Sequence, residues 1–445
     1  MSGRAAAVVA GASQKGLNAA VRAFHRATRS GCPGPFQGVV EIETLGVKRV
    51  FWAIPNAPTI DLAPKQADRD WLKARIRDGL GSFDLAEAWA DSIVDQSVIL
   101  AVEAAGIEVT IDLDKGSRQT VSGKLSTFVQ ARASADRRIV FQAQHSRFVP
   151  DGDHDAGTQW LLDHVVVPQA QMHLNAVFAD GNPFTPFPDH LVRFSAPSIA
   201  IVDGALVAFA TDDPAAKTAG PPALSWPAGR VQELARLDIW KRAFTKIIKR
   251  RHLGDSFEFR FDIPPYAFGV SYHWGISEAR VAKRLSGDRL VMEMTAGGGG
   301  SVTVTIFLVP TKLKLGIVAR PQMEVGVQTK GGRIVPRIER INALNLHLEL
   351  TVPLVLQPIV DLIVNAITKV VSGRMTRLLE QIDLGSTEIP SIDLGWGGVM
   401  ASVSGKDLKL VQQSVSKQST WFGMSAVPIA TPCPAPLDPT TKDSP

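Results

Sequence analysis

Apolar residues recur along this chain at two spacings, helical and alternating, and the order in which the spacings appear is repeated. After Ser13, a helix-capping residue, Leu17, Val21, Phe24 and Ala27 fall on one helical face. The cluster Gly31-Cys32-Pro33-Gly34-Pro35 ends that helix. Val39 to Ile54 reads as one or two strands. Asp68 to Asp78 reads as a short exposed helix, and Leu85 to Ile93 as another. From Ser97 to Val149 the period is two: Ile107, Val109, Ile111 and Leu113 alternate with Glu108, Thr110 and Asp112. Lys115-Gly116 turns the chain into a second strand, and Ile139 to Phe148 predicts a third. This is an antiparallel meander with one apolar face. Trp160 to Phe178 is again helical, carrying Leu161, Leu162, Val165, Val166, Met172 and Leu174, with Pro168 expected to kink or divide it.

The same order returns after residue 229. Val231–Arg251 predicts a helix with an apolar stripe of Leu234, Leu237, Phe244, Ile247 and Ile248, opposite Arg236, Lys246, Lys249 and Arg250. Phe257 to Ile263 is the cleanest strand, and alternation continues at 290–294, 302–309, 312–318, 323–327 and 344–350. Leu356–Ile382 predicts a closing helix with Ile359, Leu362, Ile363, Ala366, Ile367 and Val370, and a bend at Gly373. In both copies Pro-containing punctuation and a short strand follow: Pro197-Ser198-Ile199 in the first, Pro390-Ser391-Ile392 in the second. Self-similarity of this kind implies related units in tandem. The expected class is α+β: two tandem tubular units, each a long helix wrapped by a highly twisted antiparallel sheet. The units span 1–212 and 230–426, joined by a Pro/Ala/Gly-rich linker at 213–229 and followed by a disordered tail at 427–445.

Composition narrows the field. The 445 residues are 45% hydrophobic and 20% charged, as in ordinary globular proteins, and the net charge of +5 is mild for this length. No nucleic-acid-reading motif accompanies the charge, so no nucleic-acid partner is expected. Two cysteines, Cys32 and Cys433, exclude a disulfide-stapled scaffold and a thiolate metal cluster. The Ala/Val run at 5–10 is weak as a signal-peptide core. Leu354–Val371 is the segment nearest to a membrane span, but Gln357, Pro358, Asp361, Asn365 and Lys369 interrupt it. The expectation is a soluble cytoplasmic protein, with a periplasmic or secreted location left open.

Ala12-Ser13-Gln14-Lys15-Gly16-Leu17-Asn18-Ala19-Ala20 resembles the opening helix, close to I-S-Q-K-G-L-D-x-A, of the tubular lipid-binding superfamily, and in particular of its bactericidal permeability-increasing and lipopolysaccharide-binding protein family. The doubled order of long helix, punctuation and returning strand is similar to that family's two-barrel pattern over most of the chain. The resemblance implies twisted sheets that wrap long helices and hold acyl chains. The signal peptide and cysteine pair of the family's secreted animal members are not evident here, and the N-terminal unit lacks the dense cationic tip of an endotoxin binder, so lipopolysaccharide recognition does not carry over. The accessory proteins of clostridial neurotoxin gene clusters, which share the tubular fold without export features, are a second relative that fits these departures.

The apolar helix faces are therefore the candidate lipid-binding residues: Leu17, Val21 and Phe24; Leu161, Leu162, Val165, Val166 and Leu174; Leu234, Leu237, Phe244 and Ile248; Ile359, Leu362, Ile363, Ile367 and Val370. Their ordinary reading is a dry core packed on the sheet. The basic runs Lys246–Arg251 and Arg280–Arg284 are candidates for peripheral contact with anionic membranes, against an ordinary reading as solvated faces. Asp151-Gly152-Asp153-His154-Asp155 starts like a calcium loop but has Ala156 and Leu162 at its sixth and twelfth positions, so it reads as a turn capping the next helix. Gly297–Gly300 precedes a strand pattern, which excludes a phosphate cradle and predicts a hairpin tip. No nucleophile elbow or His-Glu-x-x-His occurs, and no catalytic residue, metal or cofactor is expected. The chain reads as a lipid-binding or lipid-transfer protein, the alternative being an accessory, complex-forming protein whose tubes are filled by side chains. Oligomeric state is not legible.

Overall fold

The computed structural model describes residues 3–29, 36–44, 46–81, 85–114, 116–134, 136–178, 182–184, 187, 189–251, 254–285, 289–306, 309–330, 333–352, 357, 360–381, 387–388, 401–403, 409–416 and 419–430. The chain opens with β1 (Val8–Ser13), which runs directly into α1 (Gln14–Arg29). Ser13 caps that helix as its sequence predicts, its Oγ accepting the Gly16 N–H at 3.2 Å. Strands β2 (Gln37–Thr44), β3 (Val47–Ala53) and β4 (Thr59–Asp61) follow, then the helix pair α2 (Gln66–Leu80) and α3 (Ala86–Asp95). The period-two region forms the meander β5 (Val98–Leu113), β6 (Arg118–Ala133) and β7 (Arg138–Pro150). One end of β5 pairs with β3 and the other with β4.

Asp155 caps the next helix, accepting from the Thr158 N–H at 2.9 Å, the turn-and-cap role its sequence suggests. That helix divides before Pro168 into α4 (Ala156–Leu161), a π-helical turn (Leu162–Val166) and α5 (Val167–Phe178). The proline has no N–H to offer the preceding turn, and the Val167 N–H reaches back five residues to the Leu162 carbonyl instead. The half closes with β8 (Asn182–Pro183), which pairs with β7, and the hairpin β9 (Ser198–Val202) and β10 (Ala205–Ala210).

The second half repeats this opening: β11 (Val231–Arg236) runs directly into α6 (Leu237–Arg251). This corrects the expectation of one helix from Val231 to Arg251. Val231 to Ala235 pair with β1 on one side and with a C-terminal strand on the other. Both faces of a central strand are covered, so its apolar positions do not alternate and read like the next helix's stripe. After α6 come β12 (Gly254–Ile263), the long β13 (Tyr266–Arg284) and β14 (Arg289–Ile306), then β15 (Val309–Ala319), β16 (Gln322–Lys330), β17 (Arg333–Ala343) and β18 (Leu346–Leu350). Gly297–Gly300 is not a hairpin tip: it lies mid-strand in β14, opposite residues 272–275 of β13. The ladder supplies the extended conformation that glycine does not itself prefer.

Helix α7 (Val360–Gln381) passes through Gly373 without a break. Short strands β19 (Thr387–Glu388) and β20 (Ala401–Val403) precede the hairpin β21 (Lys409–Ser416) and β22 (Ser419–Ala426), and β23 (Pro428–Ala430) pairs with β20. Part of the segment expected to be a disordered tail is thus a strand. Residues 431–445, the second returning strand at 390–395 and both cysteines lie outside the described residues.

Three larger sheets result. A six-stranded central sheet, β21-β22-β11-β1-β10-β9, joins the halves through the β1–β11 pairing. On one of its faces Val9, Val207, Phe209, Leu234 and Trp421 pack with Leu224 and Trp226 of the 213–229 segment, which lies against the sheet. The first-half sheet has seven strands and the second-half sheet eight. In the latter, β14 pairs with β16 through residues 289–293 and with β15 through residues 296–306. One strand serving two neighbours in turn bends this sheet into a half-barrel around α7.

Candidate functional site

The second-half sheet and α7 form the largest buried hydrophobic cluster among the described residues. Ile363, Ile367, Val371, Met375 and Leu379 recur every fourth residue of α7 and are 0–1% exposed. They form one cluster with the inward residues of β13, β14 and β15. Two rows cross this concave face from strand to strand. One runs Phe257–Tyr272–Gly300–Leu315–Leu350, and its neighbour runs Trp274–Gly298–Ile317–Leu348.

The apolar face also includes half-buried positions. Toward the β12 edge Phe259, Phe261 and Ile263 are half-buried, and toward the β18 edge Leu346, Leu348 and Leu350 are half-buried. The β12 aromatics make a continuous stack: Phe257–Phe259 at 6.1 Å, Phe259–Phe261 at 5.9 Å and Phe261–Phe268 at 4.8 Å between ring centroids. The Arg374 guanidinium of α7 lies 4.8 Å over the Phe257 ring. The site is therefore an apolar inner face of the sheet, covered by α7 and carrying half-buried hydrophobic rows on β12 and β18.

Two polar atoms interrupt it. The Tyr272 hydroxyl and the Trp274 Nε1 are buried, and neither has a hydrogen-bond partner among the described residues. Burial pushes the Tyr272 phenol up to about 12. A separate charged pocket of 240 Å³ is lined by Lys241, Glu278, Arg280, Glu293 and Arg320 among others. Its charges are largely committed: Lys241 pairs with Glu278 at 2.8 Å and Arg280 with Glu293 at 2.6 Å. The side-chain hydrogen bond from Lys241 holds Glu278 below the usual carboxylate range. Two further residues of the basic runs are also engaged, Lys246 donating to the Leu191 carbonyl at 2.7 Å and Arg284 to the Leu410 carbonyl at 2.6 Å.

The helix-face candidates divide among several clusters. Leu17 and Val21 pack with Ile60, Leu100 and Val129, while the Phe24 ring meets Phe36 edge-on at 5.1 Å. Leu162 and Val166 are buried against Val109, Ile111, Leu125 and Phe148 of the first-half sheet, with Leu161 packed beside them. Val165 and Leu174 are half-buried. Ile248 joins the α7 cluster together with Leu237 and Phe244, as do Ile363, Ile367 and Val370. Leu234 lies apart, on the central sheet beside Val9 and Phe209. Leu362 is 53% exposed on the outer side of α7, and Ile359 lies outside the described residues.

Comparison with known proteins places this geometry beside two kinds of solved structure. The lipopolysaccharide binding protein structure is similar over 94% of this chain and 98% of its own, at 13% identity and a TM-score of 0.36. P47 of Clostridium botulinum E1 is similar over 96% of this chain and 100% of its own, at 8% identity and a TM-score of 0.36. P47 from Clostridium botulinum A2 is similar over 94% and 96%, at 9% identity and the same TM-score. No protein-family model and no curated protein matches the chain. The likeness spans nearly the whole sequence but is loose, and it assigns no ligand.

Among the described residues no group of three or more His, Cys, Asp or Glu side chains is placed to hold a metal ion, and no helix is long and apolar enough to cross a membrane. Tyr272 and Trp274 are absent from the helix-face candidates. Their signal was nevertheless in the sequence, as the alternation Phe268, Val270, Tyr272, Trp274, Ile276 along β13.

Proposed function

We propose that this protein is a non-enzymatic lipid-binding or lipid-transfer protein that holds an acyl chain, or another elongated apolar molecule, against the concave face of the second-half sheet. The observation that carries this reading is the extent of the apolar face. It includes half-buried rows on β12 and on β18, the latter beside α7. A chain laid along the β12 row would cover Phe259 and Phe261, and one at the β18 row would share Leu348 and Leu350 with α7, which packs against that strand. Each methylene so buried contributes ~0.8 kcal/mol, so a long tail can bind firmly with little polar recognition. The first half, built in the same order around α4, the π turn and α5, is proposed as a related unit with the same capacity.

A second reading is favoured by a different observation. The α7 seam is packed at 0–1% exposure from Ile363 to Leu379, as in a tube filled by its own side chains. On that reading the protein is an accessory, complex-forming component. Native mass spectrometry and lipid extraction of protein purified from its own host separate the two. Co-purifying lipid, released on denaturation, supports the cargo reading. Protein that is consistently lipid-free and takes up no fluorescent fatty acid or phospholipid supports the accessory reading.

A further inference from the structure

Tyr272 and Trp274 are two residues apart on β13, so they share the concave face at a spacing of roughly 6–7 Å along the strand. Tyr272 is 2% exposed and Trp274 5% exposed, and the phenol oxygen and indole nitrogen are both buried without a partner among the described residues. A Cβ added at Gly298 would lie 2.7 Å from the Tyr272 Oη and 2.6 Å from the Trp274 Cα. The hydroxyl therefore leans along β13 toward the indole, over a stretch of β14 that presents no side chain. Beyond it on β15 stand Leu315 and Ile317, which offer no acceptor.

An indole N–H only donates, and the phenol, held protonated by burial, donates as well. Leaving a buried donor unpaired costs about 1–3 kcal/mol. Buried Tyr hydroxyls and Trp indole N–H groups usually have a hydrogen-bond partner. The missing complement is an acceptor: Asp255, directly opposite Trp274 on β12, accepts from the Ser256 N–H at 2.9 Å and does not reach the indole, so the role falls to a group that arrives along the Phe257 side of the pair. Phe257 flanks Tyr272 directly, and the stacked ring row from Phe257 to Phe261 leads from the pair along β12.

We propose that the Tyr272 hydroxyl and the Trp274 indole N–H form a donor pair that recognises the carbonyl oxygen of an acyl ester, fixing how deeply an ester-linked lipid enters beside α7. This rests on the lipid-binding reading above and adds a polar specificity to it. The carbonyl accepts both hydrogen bonds, and the acyl chain lies along the β12 aromatic row.

The test uses two fluorescent probes matched in length, methyl pyrenedecanoate and dodecylpyrene, titrated into the full-length, delipidated protein. The wild type is expected to bind the ester roughly tenfold more tightly than the hydrocarbon, the return from two hydrogen bonds of about 1 kcal/mol or less each. Tyr272→Phe with Trp274→Phe should abolish the preference, so that the ester and the hydrocarbon bind with equal affinity. Tyr272→Phe alone, which keeps the ring over Gly298, should lose part of the preference without lowering the melting temperature. Equal affinity of the wild type for both probes, or a preference that survives the substitutions, overturns the donor pair while leaving the groove intact. Failure of the wild type to bind either probe removes the groove reading and the donor pair with it.

Discussion

The Tyr272 side chain lies over Gly298 on the neighbouring strand, its hydroxyl 2.7 Å from where a Cβ would stand. The glycine run in β14 is thus part of the concave wall. Two of its members, Gly298 and Gly300, are places where β13 approaches too closely for any side chain. An added Cβ would lie 2.0 Å from the His273 carbonyl oxygen at the first and 2.1 Å from the Ser271 carbonyl oxygen at the second. At Gly297 its nearest contact would be the Ile317 carbonyl oxygen at 3.9 Å.

Gly298→Ala and Gly300→Ala are therefore expected to destabilise the fold by about 1–3 kcal/mol, because the obstruction is backbone and cannot rotate away. Gly297→Ala should be close to neutral. Denaturant unfolding of the three variants checks the contrast, which would not arise if the run were an open tip.

The two sides of α7 should respond differently to truncation. Ile367→Ala empties a fully buried position in the seam and should cost roughly 2–5 kcal/mol. Leu362→Ala, at 53% exposure, should change stability by no more than ~0.5 kcal/mol. Thermal unfolding distinguishes them, and similar losses at both sites would mean that α7 is seated differently.

Glu233 stands between Ala10 of β1 and Met424 of β22 in the central sheet. Its residue surface is only half-buried, but enough protein surrounds the carboxyl that burial pushes it up to about 8. In the unfolded chain it ionises near the ordinary value of about 4.3. Between those two values the unfolded state loses its proton while the folded state keeps it. The contribution to stability is thus fully present below the ordinary carboxylate range and is lost as pH rises to about 8. Glu233→Gln should flatten that decline, so the variant gains on the wild type by at least ~1 kcal/mol between pH 4 and pH 8. Parallel stability curves would contradict the assignment.

Much of this arrangement could be read from residue order. The helix beginning at Ser13, the meander from Val98 to Pro150 and the strand at Phe257 to Ile263 follow directly from their periodicities. The central strands β1 and β11 could not be read, because both of their faces are covered and their residues do not alternate. The Gly297–Gly300 stretch hid the continuity of β14, since the pairing that holds it extended comes from β13 and β15 rather than from local preference. The site followed the same division. Ile363 and Ile367 were marked by helical spacing, whereas Leu362, one residue before, belongs to the outer surface. Tyr272 and Trp274 fall between the strands read at 257–263 and 290–294, and their unpaired polar atoms emerge only when β13 is set against β14.

The cargo account is tested most directly by photo-crosslinking with a diazirine-bearing fatty acid, followed by peptide mapping of the adducts. It predicts labelling on the inward positions of β12 and β18, at Phe259, Phe261, Leu348 and Leu350, with competition by unlabelled lipid. Adducts confined to outward residues such as Trp89, or no saturable labelling, would contradict it.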